Sequence, residues 1–191
     1  MARVIVYTRH SDKGVSVCTP TEWAIAMMGC GGLWADKPRG FGEVQIARQI
    51  ARGVHADAAR RYVKAVQFGG LTTAEAYAVI RDRDCAHLGY HIDLMDYADL
   101  PDRWFRNAWK RSRNGGPVGV DLKLARPIQW RHLREAVARE NKRRAEDFDG
   151  DFGPLEPDWS QIRTAIKRAR DDEELRRVWP VSLTSVPVPR D

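Results

Sequence analysis

Cys85, His87, His91 and Asp93 lie within nine residues, with Asp96 and Asp99 close behind, so nucleophile, base and metal-ligand types crowd together here. A thiol beside an imidazole can serve as an activated nucleophile, and thiol, imidazole and carboxylate are all zinc ligands. The spacing argues for a plainer reading. Leu88, Tyr90, Ile92 and Leu94 alternate with His87, Gly89, His91 and Asp93, the period of a strand, so the two histidines share a face. No oxyanion-forming motif accompanies Cys85. Cys18, Cys30 and Cys85 are odd in number and far apart, which fits neither a disulfide framework nor a four-ligand zinc site. Asp147, Asp149 and Asp151 lack the ligand spacing and terminal Glu of a calcium loop. Gly29, Gly31 and Gly32 match neither phosphate-binding glycine motif and read as a turn. Sequence chemistry therefore assigns no catalytic residue, metal or cofactor. A hydrolase or metal-dependent enzyme stands as the enzymatic alternative to a non-enzymatic role.

Composition frames this. The chain has 191 residues, 43% hydrophobic and 30% charged, which excludes fibrous and wholly disordered classes and suits one or two small domains. Thirty-two Lys and Arg against twenty-six Asp and Glu leave +6, compatible with an acidic partner without naming one. No segment approaches the roughly 20 apolar residues of a membrane span. The expected location is cytoplasmic during synthesis or assembly, with virion association the further expectation.

The elements that must position these residues read as α+β. Val4–Tyr7 and Val15–Val17 flank a polar turn and predict a small amino-terminal β-hairpin. Thr19-Pro20-Thr21-Glu22 predicts a helix start capped by Thr19, with Trp23, Ala26 and Met27 on the buried face. Leu33 to Gly42 reads as a mobile connection. Short helices follow around 44–51 and 59–66, then a capping box at Thr72 and Glu75 ahead of Ala76, Val79 and Ile80. His87 to Met95 predicts a strand. Asn114 to Val120 predicts a hairpin or extended connection, and Asp121 caps the turn 122–125 before Pro127. A helix with Trp130, Leu133 and Val137 on its packed side is expected to be returned by one carrying Trp159, Ile162, Ile166 and Ala169, giving a carboxy-terminal helical hairpin. The implied division is a mixed α+β domain over 1–98, a helical interaction region over 99–180 and a flexible tail over 181–191.

The block Asp99 to Trp109 is the most unusual in the chain. Pro101 can open a helix that places Phe105, Ala108 and Trp109 together while Arg103 and Arg106 project elsewhere. Large aromatics beside arginines make interface anchors. The expected interaction surface is Arg103, Phe105, Arg106 and Trp109, joined by Trp130 and Arg134. The nucleic-acid alternative uses the basic helices 130–147 and 159–170.

Leu100-Pro101-Asp102-Arg103 through Phe105-Arg106-Asn107-Ala108-Trp109, then Val120-Asp121, Leu133-Arg134 and the terminal Leu175 to Trp179-Pro180, resemble a poorly characterised family of phage and prophage proteins. The likeness covers roughly residues 87 to 180. This chain departs from it at 140–151, where its charged turn is longer. The resemblance implies a protein of virion or tail assembly whose partner is a phage structural protein. Pro101, Asp102, Arg103, Phe105, Arg106, Ala108 and Trp109 are the shared positions. It implies no catalytic mechanism.

Overall fold

The computed structural model describes residues 3–146, 153–180 and 183. The fold is α+β, and the chain divides into two compact units. The first holds residues 1–100 and 111–117; the second holds 101–110 and 118–191. The tip of one hairpin thus belongs to the first unit and its base to the second. The acidic turn at Asp147, Asp149 and Asp151 lies outside the described residues, and of 181–191 only Leu183 is described.

In the first unit, β1 (Arg3–Arg9) is the middle strand of an antiparallel sheet, between β2 (Val15–Cys18) and β3 (Gly89–Asp96). The expected hairpin thus gains a third strand from a distant segment. Val4 to Thr8 are buried without alternation, because both faces of a central strand are covered. Ile5 and Tyr7 pack with Met28, Val66, Ala76, Val79, Ile80 and Cys85.

The first helix, α1 (Glu22–Cys30), starts later than Thr19 suggests. Thr21 is its cap, accepting from the Ala24 amide at 3.2 Å. Met28 is the buried residue, while Trp23 is 60% exposed and Ala26 lies outside, so the packed stripe differs from the expected Trp23, Ala26 and Met27. Next come α2 (Phe41–Ile50) and α3 (Ala56–Phe68), which pack together. The helix α4 (Thr73–Ile80) opens on the full capping box: Thr72 Oγ1 accepts from the Glu75 amide, and Glu75 Oε2 accepts from the Thr72 amide at 2.8 Å. A π-helical turn, Arg81–Cys85, continues it.

The glycine-rich ends of α1 and α3 meet. Gly32 and Leu33 amides donate to the carbonyls of Gln67 and Val66, and Gly70 and Leu71 amides donate to those of Gly29 and Met28. Each helix thereby satisfies carbonyls left open at the other's last turn. A Cβ on Gly31 would sit 2.5 Å from Gly69 N, and one on Gly69 2.6 Å from the Cys30 carbonyl carbon. Both glycines have positive φ, so backbone approach and conformation exclude a side chain.

The second unit is built on α5 (Leu122–Glu146), about 37 Å long at 1.5 Å per residue. Asp121 caps it directly, accepting from the amides of Lys123 and Leu124 at 2.9 and 3.3 Å. Pro127 therefore lies inside the helix rather than ahead of it. Leu133, Ala136 and Val137 face the core with Ile162, Ile166 and Ala169 of the α6 (Trp159–Arg168) segment and Leu175 of α7 (Asp172–Arg177). Near the end of α5, Asn141 Oδ1 accepts from the Leu155 amide at 2.6 Å; near its start, Arg126 Nη2 donates to the Ala169 carbonyl at 3.1 Å. The α6 helix therefore runs back along α5, as the apolar spacing implies. Asp158 caps it, accepting from the Ser160 and Gln161 amides. Between the units in sequence runs the hairpin of β4 (Trp109–Ser112) and β5 (Gly115–Val120).

Candidate functional site

The Asp99–Trp109 block does not form the expected α-helix. Asp102 caps a short 3-10 segment, Arg103–Ala108, by accepting from the Trp104 amide at 2.9 Å. The backbone leaves helical values at Phe105 (φ −107°, ψ 28°), and the chain becomes strand at Trp109. Phe105, in the core of the second unit, is 1% exposed, and Trp109 is 3% exposed. The Trp109 indole donates to the Asp102 carbonyl at 3.3 Å. This corrects the expected surface: Phe105 and Trp109 cannot touch a partner of the folded chain, since their rings are spent on internal packing. Arg103 and Arg106 do lie on the outside, but without these aromatic anchors beside them. Asp102 forms an ion pair with Arg176.

Trp104, which the motif reading passed over, is the hub of this core. Its indole donates to Gln129 Oε1 at 2.6 Å, and Gln129 Nε2 donates to the Val178 carbonyl at 2.9 Å. Gln129 is fully buried, so the pair ties the 3-10 segment, α5 and the residue after α7 together through satisfied polar groups. A glutamine at a core position of an apolar stripe is the sequence signal that could have revealed it.

The structure brings the other two expected residues together. Trp130 is half-buried and Arg134 exposed, and with Arg131, Glu135 and Ala138 they line a shallow depression of about 370 Å³ on α5. From α6, the Arg163 guanidinium stands 5.0 Å from the Trp130 ring centroid, and Trp159 meets the same ring edge-on at 5.1 Å. Lys167 lies one turn beyond Arg163, on the same side of α6. Together, α5 and α6 carry eleven Lys and Arg against three Glu, a formal +8, whereas the whole chain carries +6. The remainder of the chain is therefore slightly acidic.

Part of this charge is compensated. Glu140, only 4% exposed, binds Arg143 and Arg144, and their hydrogen bonds hold its carboxyl down to about 2. Arg131 has Glu135 at 3.9 Å, and Lys142 has Glu146 at 3.7 Å. Arg134, Arg163 and Lys167 have no carboxylate partner among the described residues.

The enzymatic alternative finds its nucleophile disarmed. Cys85 is fully buried, and its hydrogen bond with Cys18 together with burial pushes its thiol far above the ordinary range, while the same bond lowers Cys18. A thiol held protonated is a poor nucleophile. His87 precedes β3 and is exposed, whereas His91 lies within the strand, where its ring meets Tyr90 edge-on. Among the described residues no three His, Cys, Asp or Glu side chains gather as a metal site, and no helix is long and apolar enough to cross a membrane.

Arg111 is a further residue that sequence reasoning missed. Its side chain is 1% exposed; Nη1 donates to the His91 carbonyl at 2.5 Å, Nε to the Gly116 carbonyl at 2.7 Å, and Asp93 pairs with Nη2. Asp93 is thus committed to a structural ion pair. Comparison with known proteins finds no matching family model, no matching curated protein and no matching solved structure.

Proposed function

We propose that this chain is a non-catalytic nucleic-acid-binding protein that meets the phosphate backbone with the basic face of the α5–α6 hairpin. The observation that carries the reading is the pair Arg134 and Arg163 beside half-buried Trp130, with Lys167 one turn further along α6, all three without carboxylate partners among the described residues on two helices of formal charge +8. Guanidinium groups on a rigid helical surface bind phosphates by charge and by paired hydrogen bonds, without needing an apolar anchor. Burial of Phe105 and Trp109 favours this over a protein partner, because it removes the aromatic hot spots such an interface would use.

Three uncompensated cations face the ligand, and about 0.9 counterion is released per phosphate contact. The slope of log K against log salt for a duplex is then about −2.7. Fluorescence anisotropy with a labelled duplex of about 25 base pairs tests this. The double substitution Arg134→Ala, Arg163→Ala should weaken binding and flatten the slope by about 2. Absent binding at low salt, or an unchanged slope in that variant, would remove the reading.

A second reading keeps the phage assembly role: an acidic segment of a virion or tail-assembly protein docks on the same face. The depression beside Trp130 favours it, since a ring rimmed by Arg131, Arg134 and Arg163 suits an acidic peptide with one apolar side chain. The resemblance over residues 87 to 180 supplies the setting. Capture of such a partner from a phage-infected lysate, abolished by Trp130→Ala and insensitive to nuclease, would favour this reading over the first.

A further inference from the structure

We propose that a cleft in the first unit, separate from the basic hairpin, binds a nucleoside monophosphate. The cleft encloses about 520 Å³, within the range of small-molecule sites. One wall is a polar stripe of α2 and the turn after it: Gln45, Arg48, Gln49 and Arg52 recur at i, i+3, i+4 and i+7, so all four share one face. The opposing wall is Tyr62 with the Arg83 guanidinium lying 3.7 Å over its ring, and Trp34 is a further aromatic lining.

Three features define the ligand. Arg83 is engaged by Asp84 through two hydrogen bonds of 2.6 Å, which leaves Arg48 and Arg52, both exposed and with no carboxylate partner among the described residues, as the uncompensated cations. Two guanidinium groups one turn apart fit a phosphate dianion. Gln49 lines this wall, and its buried Oε1 has no hydrogen-bond partner among the described residues, so turning the amide toward the cleft would satisfy it with a ligand donor. The exocyclic amine of a nucleobase is such a donor. Trp34 and the stacked Arg83–Tyr62 pair offer faces for a planar ring. Trp34 holds φ at +70°, uncommon for a bulky residue, and its ring meets Phe41 edge-on at 5.4 Å at the margin of the cleft. Phosphate, donor and planar ring occur together in one nucleotide.

Isothermal titration calorimetry of the full chain tests this with adenosine, cytidine and guanosine 5′-monophosphates, inorganic phosphate and adenosine. At least one monophosphate should bind, with phosphate and adenosine each at least about tenfold weaker. Arg48→Gln with Arg52→Gln should weaken it by a similar factor, and Gln49→Leu should weaken the nucleotide while sparing inorganic phosphate. Because both arginines are exposed, circular dichroism of the double variant should match the parent. A 5′-phosphorylated tetranucleotide distinguishes the source: equal competition assigns the cleft to a strand end, and no competition assigns it to the free nucleotide. Absence of binding by all three monophosphates at millimolar concentration, or an unchanged affinity in the folded double variant, overturns the proposal.

Discussion

Gln129→Met keeps the length and approximate shape of the side chain while deleting both of its hydrogen bonds. The buried Trp104 indole N–H then has no acceptor, which costs about 1–3 kcal/mol, and the Val178 carbonyl loses a donor at about 1 kcal/mol. Added apolar burial of the thioether returns up to about 1 kcal/mol. The expected loss is about 2–3 kcal/mol. Five of the seven tryptophans, at 104, 109, 130, 159 and 179, belong to the second unit, so intrinsic fluorescence during urea denaturation reports mainly on that unit. With a slope near 1 kcal/mol per molar urea, the midpoint should fall by about 2–3 M. Trp104→Phe removes the stranded N–H, so the double variant should be less damaged than the sum of the singles by at least about 1 kcal/mol. A Gln129→Met midpoint within about 0.5 M of the parent, or additive single effects, would refute the argument that this buried pair organises the unit.

The same assay should separate the motif residues: Trp109→Ala loses about 3–5 kcal/mol as a buried aromatic, while exposed Arg106→Ala stays within about 0.5 kcal/mol; equal effects would contradict the placement of the ring. Thr72→Ala breaks the capping box of α4 and should cost about 1 kcal/mol by denaturation followed at 222 nm. Because Arg143 and Arg144 hold the folded Glu140 carboxyl at about 2, below its unfolded value, its stabilisation is complete above about pH 4.5 and is lost as pH falls through about 2. Acid titrations should therefore show Glu140→Gln less stable than the parent at pH 6, with the gap narrowing below pH 4.5 and closing near pH 2. A gap independent of pH would exclude the ion pair as its source.

Local chemistry was legible where neighbouring residues decide the outcome. The Thr72–Glu75 box, the cap at Asp121 and the apolar stripe of α6 were all readable because each concerns residues within one or two turns. The apolar, arginine-bearing block around Trp109 was legible as important, but not as core. A sequence cannot distinguish an aromatic that docks outward from one that packs inward when both use the same residue types, and here both rings are buried. Pairing of β3 with β1, burial of Arg111 and the juxtaposition of α2 with the Arg81–Cys85 turn all depend on segments distant in sequence. The basic hairpin lay between these cases: its charge was countable, but which cations keep no carboxylate depends on the partners chosen across the folded surface.

Gly31-Gly32-Leu33 and Gly69-Gly70-Leu71 are the same tripeptide, used twice at one seam. Four amides cross that seam reciprocally, so neither helix end can fray without exposing carbonyls on the other. Protection of Gly32, Leu33, Gly70 and Leu71 against hydrogen exchange should rise and fall as one group. A methyl at either tight glycine would wedge the seam apart, and so the tolerance of this chain to mutation should drop sharply at two positions that carry no side chain at all.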